Sequence, residues 1–249
     1  NPADTVANAI ASAEAVLTVD EREDGVLSID IGGGTTDIAV FCDGAVVHTS
    51  GIPIGGYQFS NDIAIAFDTN YAEAARLKRS YGTATPELVG MTEEIPIRRR
   101  STDEPLMITR REIGQVLNDR VKELLEMVKL KIDFPNSDEF QINRIVMTGG
   151  SARLEGIDTL ARYVFQRQVR LAKPRGINSM LSEHSNPAYS TAIGTLIWGA
   201  RNHPVGSHVS TTVSRSSTSL RQLLSRYRSW ISSFGRRRVS NSSSANVAR

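Results

Sequence analysis

The sequence has 249 residues, a formal charge of +2, and 40% hydrophobic and 22% charged residues, a composition that excludes collagen-like, disulfide-rich and wholly disordered chains. Its one cysteine, Cys42, excludes an internal disulfide and a multi-cysteine metal site and fits a reducing compartment, while no apolar run approaches the ~18 residues that cross a bilayer. The small total hides an asymmetry: from Gly206 to Arg249 there are eight arginines and no acidic residue, so that stretch carries +8 and the residues before it −6.

The chain begins Asn1-Pro2 with no basic region followed by an apolar core, so no secretory signal is expected there. Alanine-rich residues from Ala7 to Leu17 predict a helix, and Asp20 to Gly25 a charged turn. Val26 to Ile31 is short, apolar and bounded by glycines, which predicts a buried strand. A second strand is expected from Thr36 to Phe41, and Asp43-Gly44 is a hairpin turn before a third, Ala45 to Thr49. Helical pattern returns over Asp62–Phe67 and Ala72–Tyr81, with Gly82 as a C-cap. Short strands are expected at Glu94–Arg98 and Pro105–Ile108. Thr109 followed by Glu112 is a capping box opening a long amphipathic helix that carries Ile113, Val116, Leu117, Val121, Leu124, Leu125 and Val128 and stops before Pro135. A strand from Arg144 to Thr148 runs into Gly149-Gly150-Ser151, a helix follows over Ile157–Phe165, and Asn186-Pro187 opens a last helix, Ala188 to Ala200, whose Ala192, Gly194 and Gly199 permit close backbone packing.

The chemistry concentrates between the first two strands. Asp30-Ile31-Gly32-Gly33-Gly34-Thr35-Thr36-Asp37 sets three glycines and two threonines in a turn. Glycine lets backbone N–H groups close around phosphate oxygens, threonine hydroxyls add donors, and a carboxylate at the strand end can hold Mg²⁺ through water. The turn lacks the Lys-Ser/Thr ending of a Walker loop and the following helix of a dinucleotide-binding fingerprint. A glycine-rich β-turn without a ligand is the plainer alternative.

This stretch resembles the second phosphate motif of the actin-like ATPase superfamily, which includes actin, MreB, FtsA, the heat-shock chaperone ATPases and sugar kinases. Four further blocks follow that superfamily's order. Ala11 to Leu17 looks like the helix before the motif, Ile52-Pro53-Ile54-Gly55-Gly56 like the turn before the second subdomain, Ile145 to Ala152 like the adenosine motif, and Asn186 to Gly194 like the closing inter-lobe helix. The wording is closest to the FtsA family of bacterial division proteins, over roughly Ala11 to Ala200. The resemblance implies an α/β, actin-like (ribonuclease H-like) ATPase lobe with its core at 1–55 and 142–203, a smaller inserted α+β subdomain at 56–141, and a first lobe expected before Asn1.

Carried over by position, the resemblance makes Asp30 the residue that binds Mg²⁺ or its waters. It gives Gly32, Gly33, Gly34, Thr35 and Thr36 the β- and γ-phosphates of ATP. Glu14 would orient the attacking water, and Lys78, Gly149, Gly150 and Ser151 would face the adenosine. From residue type alone Glu14 is a solvated surface glutamate. Relatives carry Glu-x-x-Lys at the Lys78 turn, where this chain has Ala75; Glu73 is the nearby substitute, on a different helical face. Any catalysis is expected to be slow ATP hydrolysis.

After a disordered linker at 204–218, residues 219–238 carry Leu220, Leu223, Leu224, Tyr227, Trp230, Ile231 and Phe234 on one helical face, with Arg221, Arg226 and Arg228 opposite. That composition suits an interfacial helix on an anionic membrane, followed by a disordered tail at 239–249. Docking on the protein's own body, nucleic-acid binding through Arg236-Arg237-Arg238 and a calmodulin-like target are the alternatives, and nucleic acid is not the expected partner. FtsA proteins end in such a helix, which implies a peripheral protein on the cytoplasmic face of the bacterial membrane at the division septum. The resemblance also implies an adaptor that anchors FtsZ filaments, recruits later division proteins and self-associates into filaments. A soluble actin-like kinase or chaperone ATPase and a PilM-like pilus-assembly adaptor are the other readings. Arg98-Arg99-Arg100 is a solvated charge run or a contact for an acidic partner. The four histidines are too scattered for a metal triad.

Overall fold

Alternation of large apolar side chains places Val26–Ile31 (β1) at the centre of a five-stranded sheet. The computed structural model describes residues 4–90, 94–102, 104–133, 141–175 and 185–202. Thr36–Cys42 (β2) and Ala45–Ile52 (β3) complete an antiparallel meander, with Val26 opposite Phe41 and Asp30 opposite Asp37. On the other side of β1, Arg144–Thr148 and Gln168–Leu171 add in parallel; with the hairpin Glu94–Arg98 (β4) and Pro105–Thr109 (β5) intervening in sequence, these are β6 and β7. The sheet order is β3-β2-β1-β6-β7.

Both faces are covered, as a parallel central pair requires. Leu27, Ile29 and Ile31 of β1, Ile38 and Val40 of β2, and Ile145 and Met147 of β6 enter one core. Helices Gly56–Ala66 (α3), Tyr71–Tyr81 (α4), Arg110–Asp133 (α5) and Ile157–Phe165 (α6) supply its other wall. The intervening residues Val26, Ala39, Phe41 and Val146 face a second core against Asn8–Val16 (α1) and Ser190–Asn202 (α7). All these elements lie within one compact unit, Asn1–Pro204, and residues 205–249 lie outside the described residues.

Several expectations need correction. The charged turn after α1 is a short helix, Val19–Asp24 (α2), because Thr18 and Glu21 form a capping box: Thr18 Oγ1 accepts from Glu21 N–H at 3.2 Å and Glu21 Oε2 from Thr18 N–H at 2.9 Å. β7 was not anticipated. Its Arg170 pairs with the buried Glu21 at 2.6 Å, so α2 and β7 hold each other. α3 begins at Gly56, six residues before the pattern at Asp62. Gly82 is the C-cap of α4 as expected, in extended conformation, φ −66°. The last helix starts at Ser190, after a 3₁₀ turn over Pro187–Tyr189. The 204–218 linker and the 219–238 helix lie outside the described residues. No helix among the described residues is long and apolar enough to cross a membrane.

Of the three small residues expected to pack α7 closely, only Gly194 does so. A Cβ there would lie 1.6 Å from the Ala11 carbonyl oxygen of α1, Gly199 has open space, and Ala192 is exposed. Gly194→Val should therefore lower unfolding free energy by at least about 2 kcal/mol in urea titration. Gly199→Ala should be neutral or stabilising by about 0.5–1 kcal/mol.

Candidate functional site

The glycine turn between β1 and β2 is held from behind. Gly32 N–H donates to Thr35 O at 2.8 Å, closing the turn, and the Gly32 carbonyl accepts from Gly56 N–H at 3.0 Å and from Ser151 Oγ at 2.8 Å. The Gly33 carbonyl accepts from Tyr57 N–H at 2.6 Å. Three separate pieces of chain thus meet: the turn, the N-terminus of α3, and the 3₁₀ turn Gly150–Arg153 after β6. The approach is close enough that a Cβ on Gly55 would fall 2.8 Å from Gly32 O.

With the Gly32 and Gly33 carbonyls turned back, the trans peptides point the Gly33 and Gly34 N–H groups the other way, and a Cβ built on either glycine would meet open space. Among the described residues, their N–H groups donate to no other atom of the chain. Outward amides over the start of a helix are an anion cradle. Thr35 is exposed, its hydroxyl 3.3 Å from Asp37 Oδ2. Thr36, expected on the phosphates, is buried and gives its hydroxyl to Ile54 O at 2.8 Å, so it fixes the turn before α3.

Asp30 lies at the floor, 5% exposed. Thr191 of α7 donates to its Oδ2 at 2.7 Å, and Ser12 of α1, whose hydroxyl lies 3.3 Å from Ala9 O, sits beside it. Burial raises its carboxyl above the usual range; Thr191 and Ser12 oppose that rise, and Asp37, its cross-strand partner, adds to it. Two carboxylates opposed in adjacent strands repel, and a cation above them relieves that repulsion. No cluster of three or more His, Cys, Asp or Glu exists among the described residues. The arrangement therefore fits a cation such as Mg²⁺ that arrives with phosphates and keeps most of its waters, and does not fit a site built wholly by protein ligands. Gly149 passes so near that a Cβ would sit 2.4 Å from Asp30 Oδ1.

Beside the turn a cleft of about 450 Å³ is lined by Phe59, Lys78, Arg79, Arg110, Gly150, Ser151, Arg153 and Glu155. Lys78 Nζ donates to the Gly56 carbonyl, and burial, helped by the charge of Arg79, pushes its ammonium down to about 8. Lys78, Gly150 and Ser151 are thus brought together beside the glycine turn. Glu73 is not: its carboxylate is held by Arg76 at 2.6 and 2.9 Å, and the Ala75 position is buried. Nor does Glu14 meet any loop residue among the described contacts. Its oxygens pair with Arg22 of α2 at 2.6 Å and with Arg201 of α7, and it lines a different cleft with Leu196 and Ile197. Glu14 ties helices together, and Ser12, two residues earlier on α1, faces Asp30. Ser12, Asp37 and Thr191 are the groups that sequence reasoning left out. The Arg98–Arg100 run folds back toward Asp68, which lies 3.9 Å from Arg99 and 3.8 Å from Arg100.

The model of the family described as cell division protein FtsA matches residues 27–194, more than half of the chain. The chain belongs to the FtsA cell division protein family. The match spans β1 through the first turn of α7, so the glycine turn, Asp30, Lys78 and Gly149 to Ser151 all lie within the family's pattern. The FtsA of Pseudomonas aeruginosa is 37% identical over 232 residues, 92% of this chain and 55% of that protein. The FtsA of Escherichia coli K12 is 35% identical over 229 residues, 89% of this chain and 54% of that protein. The chain thus spans about half the length of the curated relatives it matches. MreB5 of Spiroplasma citri bound to ADP superposes with a TM-score of 0.62 at 23% identity, over 81% of this chain and 62% of that one. PilM in a PilM–PilN pilus biogenesis complex gives 0.55 at 15%, over 80% and 53%. The fold is actin-like.

Because the folded-state pKa of Asp30 is raised, native protein holds its proton more tightly than the unfolded chain does. The ligand-free protein should lose stability as pH rises from about 4 through the raised value. Asp30→Asn should remove that segment of the pH dependence and raise the ligand-free melting temperature at pH 7 by a few degrees, read by calorimetry.

Proposed function

We propose that this chain is the nucleotide-binding lobe of a division adaptor that takes ATP with Mg²⁺ at the glycine turn. Through its C-terminal helix it holds FtsZ filaments at the cytoplasmic face of the membrane at the septum. The observation that carries the nucleotide reading is the outward pair of Gly33 and Gly34 amides, flanked by Lys78 and floored by Asp30. The solved MreB5 structures, one bound to ADP and one to AMPPNP, support it.

Gly33 and Gly34 N–H groups bind phosphate oxygens, Thr35 adds a hydroxyl, and Lys78 supplies a point charge beside the α3 N-terminus. Mg²⁺, when bound, neutralises phosphate charge. Asp30 holds its water shell, with Thr191 and Ser12 fixing the carboxylate's orientation. Gly149 leaves room beside Asp30, and Gly150 and Ser151 border the nucleoside cleft. Glu14, expected to orient the attacking water, is instead committed to Arg22 and Arg201, which supports binding with slow hydrolysis at most. FtsZ anchoring, recruitment of later division proteins and self-association rest on family membership. The membrane helix rests on the spacing of Leu220 to Phe234 and the +8 charge around it. The soluble-enzyme alternative leaves that amphipathic spacing without a purpose.

Calorimetric titration of the full chain should show ATP affinity falling at least about tenfold in Asp30→Ala and Gly33→Val; unchanged affinity in both rejects the site. In the wild type, affinity should drop as pH rises through about 8, where Lys78 loses its proton, and Lys78→Gln should flatten that profile. Trp230→Glu should abolish co-sedimentation with anionic vesicles while ATP binding is kept.

A further inference from the structure

The cleft beside the glycine turn is lined by four cationic side chains, Lys78, Arg79, Arg110 and Arg153, and one carboxylate, Glu155. A carboxylate in a cleft that receives a polyanion works against binding unless it meets a donor. We propose that Glu155 is the specificity-determining acceptor for the ribose hydroxyls of the bound nucleotide, so that the site selects ribonucleotides. The proposal rests on the nucleotide reading above and adds which part of the nucleotide this residue reads.

The geometry of Glu155 is that of a prepared acceptor. Its backbone is clamped: the Glu155 carbonyl accepts from Ala84 N–H at 2.7 Å and from Thr83 Oγ1 at 3.4 Å, and Thr83 and Glu155 form an isolated parallel bridge. Its carboxylate is positioned by Arg110 Nη2 at 2.8 Å, and Arg110 is itself fixed by Nε donating to Tyr81 O at 3.1 Å. The Glu155 side chain nevertheless keeps 62% of its surface exposed. One oxygen is therefore engaged and lone pairs remain open to the cleft. A ribose cis-diol offers two O–H donors, and a carboxylate is the group that takes both. The other side chains lining the cleft that could accept are the hydroxyls of Ser80 and Ser151, and Ser151 already donates to Gly32 O.

Electrostatics separate this role from a merely structural one. If Glu155 only staples α5 to the loop after β6, removing it deletes a negative charge near a polyanion, and every nucleotide should bind as well or more tightly. If it reads the diol, Glu155→Ala weakens ATP by about tenfold while 2′,3′-dideoxy-ATP changes less than twofold. The experiment is calorimetry of the full chain, wild type and Glu155→Ala, with Mg·ATP and Mg·2′,3′-dideoxy-ATP, and urea titration to check that the variant is folded. Glu155→Asp, which keeps a shorter carboxylate, should recover part of the preference for ATP. Equal loss of both ligands, tighter binding of both, or no change in the wild-type preference overturns the assignment of Glu155 alone. Failure of the wild type to bind either ligand overturns the nucleotide reading, and this assignment with it.

Discussion

The site depends on where two carbonyl groups point. In a three-glycine turn, nothing in the residues themselves decides whether N–H or C=O groups face solvent, because glycine adopts either arrangement at similar cost. Here the decision is made from behind. The amides of Gly56 and Tyr57 and the hydroxyl of Ser151 capture the carbonyls of Gly32 and Gly33, and the amides of Gly33 and Gly34 are left outward. The same contacts satisfy two of the otherwise orphaned N–H groups at the start of α3. One set of hydrogen bonds therefore caps a helix, joins two parts of the fold and presents an anion cradle.

Around that set, charge is arranged at a cost. Asp30 is buried opposite Asp37 and against Gly149, an arrangement that raises its carboxyl and disfavours the ligand-free protein. Lys78 is half-buried with its ammonium lowered. Shifted charges of opposite sign lie on two sides of the outward amides, and under the proposed function a phosphate–metal pair would relieve both. Strain of this kind is concentrated at binding sites and offset by packing elsewhere, here by the two cores on either side of the sheet and by the close crossing of α1 and α7 at Gly194.

Much of this was legible in the sequence. The strands flanking the glycine turn announce themselves as short apolar runs, and the turn is recognisable because so many glycines and threonines between strands have few purely structural uses. The capping box at Thr109–Glu112 marked the start of α5 to within a residue. The same signal at Thr18–Glu21 was present but masked by a run of charges that reads as a turn. β7 escaped because only Val169 of its four residues is buried, and Arg170 looks like a surface residue until Glu21 is seen beside it. Ser12, Asp37 and Thr191 join Asp30 only through sheet register and helix crossing, which spacing along the chain does not encode. Glu14 was misplaced for the complementary reason: it sits two residues from Ser12 on the same helix, and so on another face.

The central claim is that the Gly33 and Gly34 amides are held outward to receive phosphate. Residue-resolved amide exchange on the full chain, with and without Mg·ATP, tests it directly. Both amides should exchange rapidly in the free protein and become strongly protected once nucleotide is added, with the Gly56 and Tyr57 amides protected in both states. Protection of Gly33 and Gly34 before nucleotide is added, or unchanged exchange after saturating Mg·ATP, would contradict it.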